Sequence, residues 1–385
     1  MNTDMATLTD TGATDTKNTK PMNHFLQYLK PILIAGPCSA ESEEQILKTA
    51  ESLKNLPNLA FFRAGVWKPR TRPGQFEGIG KTALLWLSKV KKQYNLPICI
   101  EVAHPHHIDL ALKYQIDALW IGARTTTNPF SINELAHALK SIQIPIMIKN
   151  PMHPEIKLWV GAIERIKNAG IEHIAAIHRG FFYYGNEKYR NKPLWQMPLE
   201  LKTIFPELPL ICDPSHISGK KEYIYEIAQK AMNLGFNGLM IETHYNPTTA
   251  LSDKEQQLTP QELKNLLQQL KYPNTQSDNP LFISTLQTLR QIIDEIDEDI
   301  LHLIAKRLEI VAQIAYYKKE HHVTAFQLSR WKNILQTRKS TAKELHINDS
   351  FIHQLLTLLH QESIRIQNNI FNQQHTPQPL SDNPK

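Results

Sequence analysis

Between residues 31 and 270, short runs of β-branched and other apolar residues alternate with amphipathic helical stretches, and the alternation repeats eight times. The strand-like runs occupy 32–35, 59–63, 97–102, 117–122, 145–149, 173–178, 208–212 and 238–242. Helical periodicity is clearest between them at 43–53, 81–94, 154–169 and 223–234. A helix after each strand returns the chain to the end where the next strand begins, so the strands must run parallel. Eight such units over about 240 residues fit a closed (β/α)8 barrel of the TIM type better than an open doubly wound sheet. No G-x-G-x-x-G or Walker pattern follows any run, which weakens a nucleotide-binding alternative.

The pattern changes after residue 270. Residues 271–280 (KYPNTQSDNP) are polar with two prolines and read as a linker. Beyond it no strand candidate appears, and apolar residues recur at seven-residue steps: Leu286, Ile293, Ile300 and then Ile314, with Leu289, Ile296, Leu303 and Ile310 interleaved. That spacing predicts one helix of about forty residues, and segments near 325–345 and 349–371 predict two shorter ones. The expected organisation is a polar tail (1–22), a barrel (23–270), the linker (271–280), a small all-α domain (281–372) and a frayed Gln/Pro-rich end (373–385).

Charge and cysteine usage narrow the function classes. The formal charge is +6, which permits a polymer, a membrane surface or small anions as partners. No run of about 18 apolar residues and no secretory leader is present, so a soluble, cytoplasmic protein is expected. Cys38, Cys99 and Cys212 are too few and too scattered for a disulfide framework. Cys99 and Cys212 fall inside strand runs and are expected in the core. The absence of a basic helix or an aromatic platform argues against nucleic acid.

In barrel enzymes the C-terminal ends of the strands build the site. Here those ends carry Cys38, Arg63 with Lys68 and Arg70, Arg124, Lys149, His178-Arg179, Asp213 to His216, and Glu242 to His244. Two chemical sets separate. Arg63, Lys68, Arg70, Arg124, Lys149 and Arg179 suit phosphate and carboxylate groups, because Arg offers a bidentate fork and Lys a compact charge. Cys38, His216, Glu242 and Asp253 combine a thiolate, an imidazole and two carboxylates, a mixed donor set for one borderline divalent ion such as Mn, Fe, Co or Zn. The tract His104-Pro105-His106-His107 is expected to be a surface feature at a helix start.

Several motifs carry a resemblance: GPCSAES (36–42), KPRT (68–71), FEGIG (76–80), IGAR (121–124), DPSH (213–216), IETH (241–244) and ALSD (250–253). Together, in this order, they resemble the 3-deoxy-D-arabino-heptulosonate-7-phosphate (DAHP) synthases, close to their short, compact branch. The resemblance implies condensation of phosphoenolpyruvate with erythrose 4-phosphate. It also implies that Cys38, His216, Glu242 and Asp253 hold the metal. Arg63, Lys68, Arg124, Lys149 and Arg179 would then hold phosphoenolpyruvate, and Arg70 with Thr71 the aldose phosphate. Lys68, or a metal-bound water near His216, would move the protons. The chain departs from the family at His178, where many relatives are acidic, and at Asn150-Pro151 after the strand-five lysine. The octulosonate phosphate synthases share the enolpyruvate donor but typically lack the KPRT run.

In the helical part, the apolar seam Leu286, Ile293, Ile300 is interrupted by Arg307. A cation in such a seam needs a partner. Lys318, eleven residues on, returns to nearly the same face about 16 Å along the axis, so the two could clasp one small dianion. Arg290 is about 25 Å from Arg307 on a straight helix, too far to share that ligand unless a second copy supplies it. These residues, with Arg330, Glu362, Ser363 and Gln367, resemble the all-helical chorismate mutases. The resemblance implies that Arg307, Lys318, Arg330, Ser363 and Gln367 line one site and that Arg290 enters from the partner in an intertwined dimer. Chorismate would be rearranged to prephenate without metal or nucleophile, with Lys318 and Gln367 stabilising charge on the ether oxygen. Gln327 and Trp331 stand where other members often carry acidic residues.

A bifunctional enzyme is therefore expected, with prephenate as a possible feedback ligand of the synthase. The competing expectation keeps the barrel as an enzyme and makes the helical domain a dimerisation or prephenate-sensing module.

Overall fold

The structure, a computed structural model, describes residues 31–69, 74–140, 142–185, 188–274 and 276–373. The tail expected at 1–22 and residues 374–385 lie outside them, as do Arg70 and Thr71. The chain separates into two compact units, 1–275 and 276–385.

The first unit is a closed barrel of eight parallel strands in sequence order: β1 (Ile32–Gly36), β2 (Leu59–Ala64), β3 (Ile98–Val102), β4 (Ala118–Ile121), β5 (Ile146–Lys149), β6 (Ile174–His178), β7 (Leu210–Cys212) and β8 (Gly238–Glu242). β8 pairs with β1 from Ile32↔Gly238 to Gly36↔Glu242, which closes the cylinder. The expected (β/α)8 architecture is therefore present. Helices α1 (Glu43–Leu53), α2 (Lys81–Tyr94), α3 (Pro105–Lys113), α4 (Ala123–Thr126), α5 (Pro129–Leu139), α6 (Ile156–Asn168), α7 (Gln196–Ile204), α8 (Pro214–Ser218), α9 (Ile224–Asn233) and α10 (Pro260–Gln269) follow the strands. Local chemistry sets their starts. Ser42 caps α1 through Gln45 N, Asn128 caps α5 ahead of Pro129, and Thr259 forms a capping box with Glu262 at α10.

Strands buried on both faces explain why the runs are almost continuously apolar. Ile34, Phe61, Cys99, Trp120, Met147, Ile177, Ile211 and Met240 fill the barrel interior. Leu33, Phe62, Ile100, Ile121, Ile148, Ala176, Cys212 and Ile241 point outward beneath the helices. Both expected core cysteines are thus in the core, on opposite faces of the barrel wall. Burying an apolar side chain of this size stabilises by about 1.5–3 kcal/mol, and this double layer holds the strand ends in place.

Among its described residues the second unit has three helices: α11 (Pro280–Glu320), α12 (Leu328–Glu344) and α13 (Asp349–Asn372). The C-terminal half of α11 packs on α13, where Val311 and Ala315 are buried. Its N-terminal half is different: Leu289, Ile293, Ile296 and Ile300 are each about half exposed, at 56, 56, 48 and 47%. No described helix is long and apolar enough to cross a membrane.

Candidate active sites

Successive strand residues face opposite sides, so the position two beyond each interior residue also points inward, at the C-terminal mouth. Stepping on from the eight interior residues gives Gly36, Arg63, Glu101, Gly122, Lys149, Arg179, Asp213 and Glu242. Six of the eight are charged. The glycines fit their neighbours: a Cβ on Gly122 would lie 2.1 Å from Glu101 Oε1, and one on Gly36 2.2 Å from the Arg63 carbonyl oxygen. Gly122 of the IGAR motif therefore makes room for Glu101, which accepts from Trp120 Nε1 at 3.0 Å. Glu101 was not anticipated, although the two-residue step from Cys99 points to it.

A cavity of about 340 Å³ opens over this ring, lined among others by Lys68, Glu101, Arg124, Lys149, Arg179 and His216. Charges beneath it pair closely. Arg63 Nη2 donates to Glu242 Oε1 at 3.1 Å, with both side chains essentially inaccessible. Lys149 Nζ donates to Asp213 Oδ2 at 2.8 Å, and His216 Nδ1 lies 2.8 Å from the same oxygen. Burial works against ionising Asp213, yet His216 and Lys149 outweigh it and hold its carboxyl well below the usual range. Glu242 is likewise opposed by burial but lowered by His216 and Arg63. Arg179 donates to Asn191 Oδ1 at 2.8 Å, and burial lowers its guanidinium to about 10 despite Asp213. Arg63 stacks over Trp120 at 4.9 Å, and its Nε and Nη1 have no hydrogen-bond partner among the described residues. Buried donors left over in this way suit an anionic ligand.

At one side of the mouth, ligand-type atoms of Cys38, Glu242 and Asp253 lie within 4.8 Å of one another. Cys38 Sγ donates to Asp253 Oδ2 at 3.2 Å and receives Lys68 Nζ at 3.0 Å. Burial and the Glu242 carboxylate push the thiol up to about 12, so it is protonated in the structure as it stands. His216 reaches the group through Nε2, 3.7 Å from Glu242 Oε1. Two carboxylates and a thiol converging in a buried corner repel one another when ionised, and a cation relieves that repulsion. Thiolate, carboxylate and imidazole together fit a borderline divalent ion.

Residues distant in sequence hold this corner. Arg190 Nη1 donates to Asp253 Oδ1 and to Gln256 Oε1, both at 2.9 Å, and Gln256 Nε2 donates to Glu242 Oε2 at 2.7 Å. One oxygen of each carboxylate is thereby held, and the other faces the corner: Asp253 Oδ2 toward Cys38, and Glu242 Oε1, which also accepts from Arg63, toward His216. Asp253 itself sits at φ 45°, an uncommon conformation for a residue with a side chain.

Two expectations need correction. His178 is not a neighbour of the mouth: its side chain points outward into a buried aromatic nest of Trp159, Phe181, Trp195 and Phe236. Of the histidine tract, His107 is not a surface feature. It stacks on Trp67 with centroids 3.8 Å apart, next to Lys68, and its Nδ1 accepts from Ala103 N.

His178 carries a pH consequence. Burial lowers its imidazole from 6.5 to about 3, with the nearby Pro193 backbone offsetting part of the shift. Between those values the unfolded chain binds a proton that the folded chain refuses. This contribution to stability is therefore complete above about pH 6.5 and is lost as pH falls. His178→Leu is expected to move the acid-unfolding midpoint of the barrel downward, read by circular dichroism between pH 3 and 7; an unchanged midpoint would contradict the assignment.

In the helical unit the structure brings Arg307, Ser363 and Gln367 together. Arg307 Nη1 donates to Ser363 Oγ at 2.8 Å and to the Leu359 carbonyl at 3.3 Å. Gln367 Nε2 donates to the Ser363 carbonyl at 3.2 Å. Lys318 Nζ donates to the Ala325 carbonyl at 2.7 Å. Burial lowers the pKa of both Arg307 and Lys318. Arg330 is exposed and its Nη1 lies 3.4 Å from Asn333 Oδ1, while Arg290 sits on the exposed N-terminal half of α11. His360, unanticipated, lies beside Arg307 and Lys318 and stacks on Trp331.

Known proteins match these two units in turn. Residues 27–277 match the DAHP synthetase I family, and residues 289–368 match chorismate mutase type II. A phospho-2-dehydro-3-deoxyheptonate aldolase of Thermotoga maritima is 29% identical over 239 residues, covering 62% of this chain and 68% of that protein. A 2-dehydro-3-deoxyphosphooctonate aldolase of Campylobacter jejuni is 31% identical over 267 residues, covering 63% of this chain and 95% of that protein. The crystal structure of the Thermotoga maritima DAHP synthase aligns with a TM-score of 0.55 at 28% identity, over 61% of this chain and 67% of that one.

Proposed function

This chain belongs to the DAHP synthetase I family and continues into a type II chorismate mutase domain, and from that premise we propose which residues carry its two activities. The barrel condenses phosphoenolpyruvate with erythrose 4-phosphate to DAHP and phosphate, and the helical domain isomerises chorismate to prephenate. The observation that carries the assignment in the barrel is the inward ring of charged residues beside the Cys38, Glu242 and Asp253 corner.

Cys38, His216, Glu242 and Asp253 hold one divalent ion of the Mn, Fe, Co or Zn type. When bound, it supplies Lewis-acid polarisation of the aldehyde oxygen. Arg63, Arg124, Lys149 and Arg179 hold the phosphate and carboxylate of phosphoenolpyruvate and orient its methylene carbon toward the aldehyde. Arg70 and Thr71 hold the aldose phosphate. Asp213 fixes the His216 ring through Nδ1, and Lys68 at the cavity wall donates to developing negative charge or passes a proton.

In the helical domain, Arg307, Lys318, Arg330 and a partner protomer's copy of Arg290 hold the two carboxylates and the ether oxygen, with Ser363 and Gln367. The half-exposed apolar row Leu289, Ile293, Ile296 and Ile300 supports a homodimer through the N-terminal half of α11. Light scattering is expected to give at least a dimer for the full chain and a smaller species for Ile293→Glu with Ile296→Glu; an unchanged mass would refute this contact. Prephenate is the proposed feedback ligand of the synthase, since one chain carries both activities.

One paired assay tests the whole reading: phosphate release from phosphoenolpyruvate with erythrose 4-phosphate, with and without chelator and prephenate. Release abolished by chelator and restored by metal is expected, with prephenate lowering the rate. The octulosonate-type relatives make arabinose 5-phosphate the informative competitor. The KPRT run and the mutase domain favour the four-carbon aldose, and a preference for the five-carbon one would overturn that choice.

A further inference from the structure

On α13, His360, Ser363 and Gln367 follow the i, i+3, i+7 spacing of one helix face. Arg307 donates into that face at Ser363 and Leu359. His360 is fixed from the other side: its ring stacks on Trp331 of α12 at 4.2 Å and 12°, and Phe326 meets it edge-on at 5.8 Å. Held by two aromatic rings, the imidazole cannot swing freely. Its Nε2 is nevertheless buried and has no hydrogen-bond partner among the described residues. A polar atom so placed points to a ligand atom.

The chemistry of the ligand selects which atom. Chorismate presents two carboxylates, an ether oxygen and one ring hydroxyl. Arg307, Lys318, Arg330 and Arg290 can serve the first three but have no acceptor to offer a hydroxyl proton. A neutral imidazole can accept that proton or donate to the hydroxyl oxygen. Burial, Arg307 and Lys318 all lower the His360 pKa, which keeps the ring neutral. Gln327, at the N-cap of α12, and Trp331, within that helix, supply no carboxylate for this purpose.

We propose that His360 is a substrate-binding residue of the helical site whose Nε2 hydrogen-bonds the ring hydroxyl of chorismate, with Trp331 as the platform that aims it. This assignment rests on the mutase reading of the domain. Gln367 Oε1, also buried without a partner among the described residues, is the rival acceptor.

The test compares chorismate with the analogue in which hydrogen replaces the ring hydroxyl, using the full chain. Loss of the hydroxyl, which leaves one buried polar atom without its partner, is expected to lower kcat/KM of the unaltered protein about 10–100-fold. His360→Phe keeps an aromatic ring on Trp331 and removes the nitrogen. It is expected to lose a similar factor on chorismate and to treat the two substrates nearly alike. His360→Gln, which retains an acceptor, is expected to restore part of the discrimination. Unimpaired discrimination in His360→Phe would overturn the proposal and shift the contact to Gln367. Should the unaltered chain bind chorismate without turning it over, the mutase reading fails, and the same ratio taken from dissociation constants still decides the His360 contact. If the unaltered chain neither binds nor converts chorismate, both fall. Circular dichroism and the synthase rate of each variant separate misfolding from a lost contact.

Discussion

Replacing Cys38 by alanine is expected to lower DAHP formation by about 10³-fold or more and to strip bound metal, while chorismate rearrangement stays unchanged. The size follows from removing the one soft donor of the corner, since Lewis-acid stabilisation is worth several kcal/mol and each 1.36 kcal/mol is a factor of about ten. Selectivity follows from position. Cys38 belongs to the barrel unit, whereas Arg307, Lys318, Ser363 and Gln367 belong to the helical one. Folding is expected to survive, because the hydrogen bond from Cys38 N to Gln257 Oε1 uses the backbone. Cys38→Ser keeps a polar atom there but is a poor ligand for a borderline ion, so it should fall nearly as far. Cys99→Ala is the matched control: its thiol fills the barrel interior, and truncation should lower stability and spare metal content. Metal analysis after gel filtration, beside both activity assays, reads the outcome. A Cys38→Ala enzyme that keeps stoichiometric metal and its condensation rate would remove the thiol from the ligand set.

The barrel was legible because eight apolar runs separated by helices leave few other closed arrangements. Part of the site was legible for a related reason: once the strands are placed, alternation aims Arg63, Lys149, Arg179 and Glu242 inward. What stayed hidden depends on neighbours in space. Glu101 looks like any strand-end carboxylate until Gly122 on the next strand is seen to make room for it. The clamp from Arg190 through Gln256 to Glu242 joins residues more than fifty positions apart, and no local pattern encodes it. His178 closes its strand run beside Arg179 and so reads as a mouth residue, yet alternation turns adjacent residues to opposite faces. In the helices, heptad spacing exposed Arg307 as an anomaly, but His360 becomes conspicuous only when Trp331 is found against it.

The same anomaly leads to the second large effect. Arg307→Ala is expected to lower chorismate rearrangement by about 10³-fold with no change in condensation. The guanidinium is partly buried and makes no ion pair among the described residues; it donates to two neutral oxygens, Ser363 Oγ and the Leu359 carbonyl. Burial already lowers its pKa, so its charge is held at a cost that an arriving carboxylate offsets. The planar fork matters as well as the charge: Arg307→Lys keeps the cation but loses bidentate geometry, and should fall between the alanine variant and the unaltered chain. Because the rearrangement needs its substrate folded into the reactive conformer, loss of this anchor should lower kcat as well as raise KM. A rise in KM alone would mean that Arg307 binds chorismate and its transition state equally well. Prephenate binding that weakens in Arg307→Ala, in a chain showing no turnover to begin with, would instead support the sensing role for the helical domain.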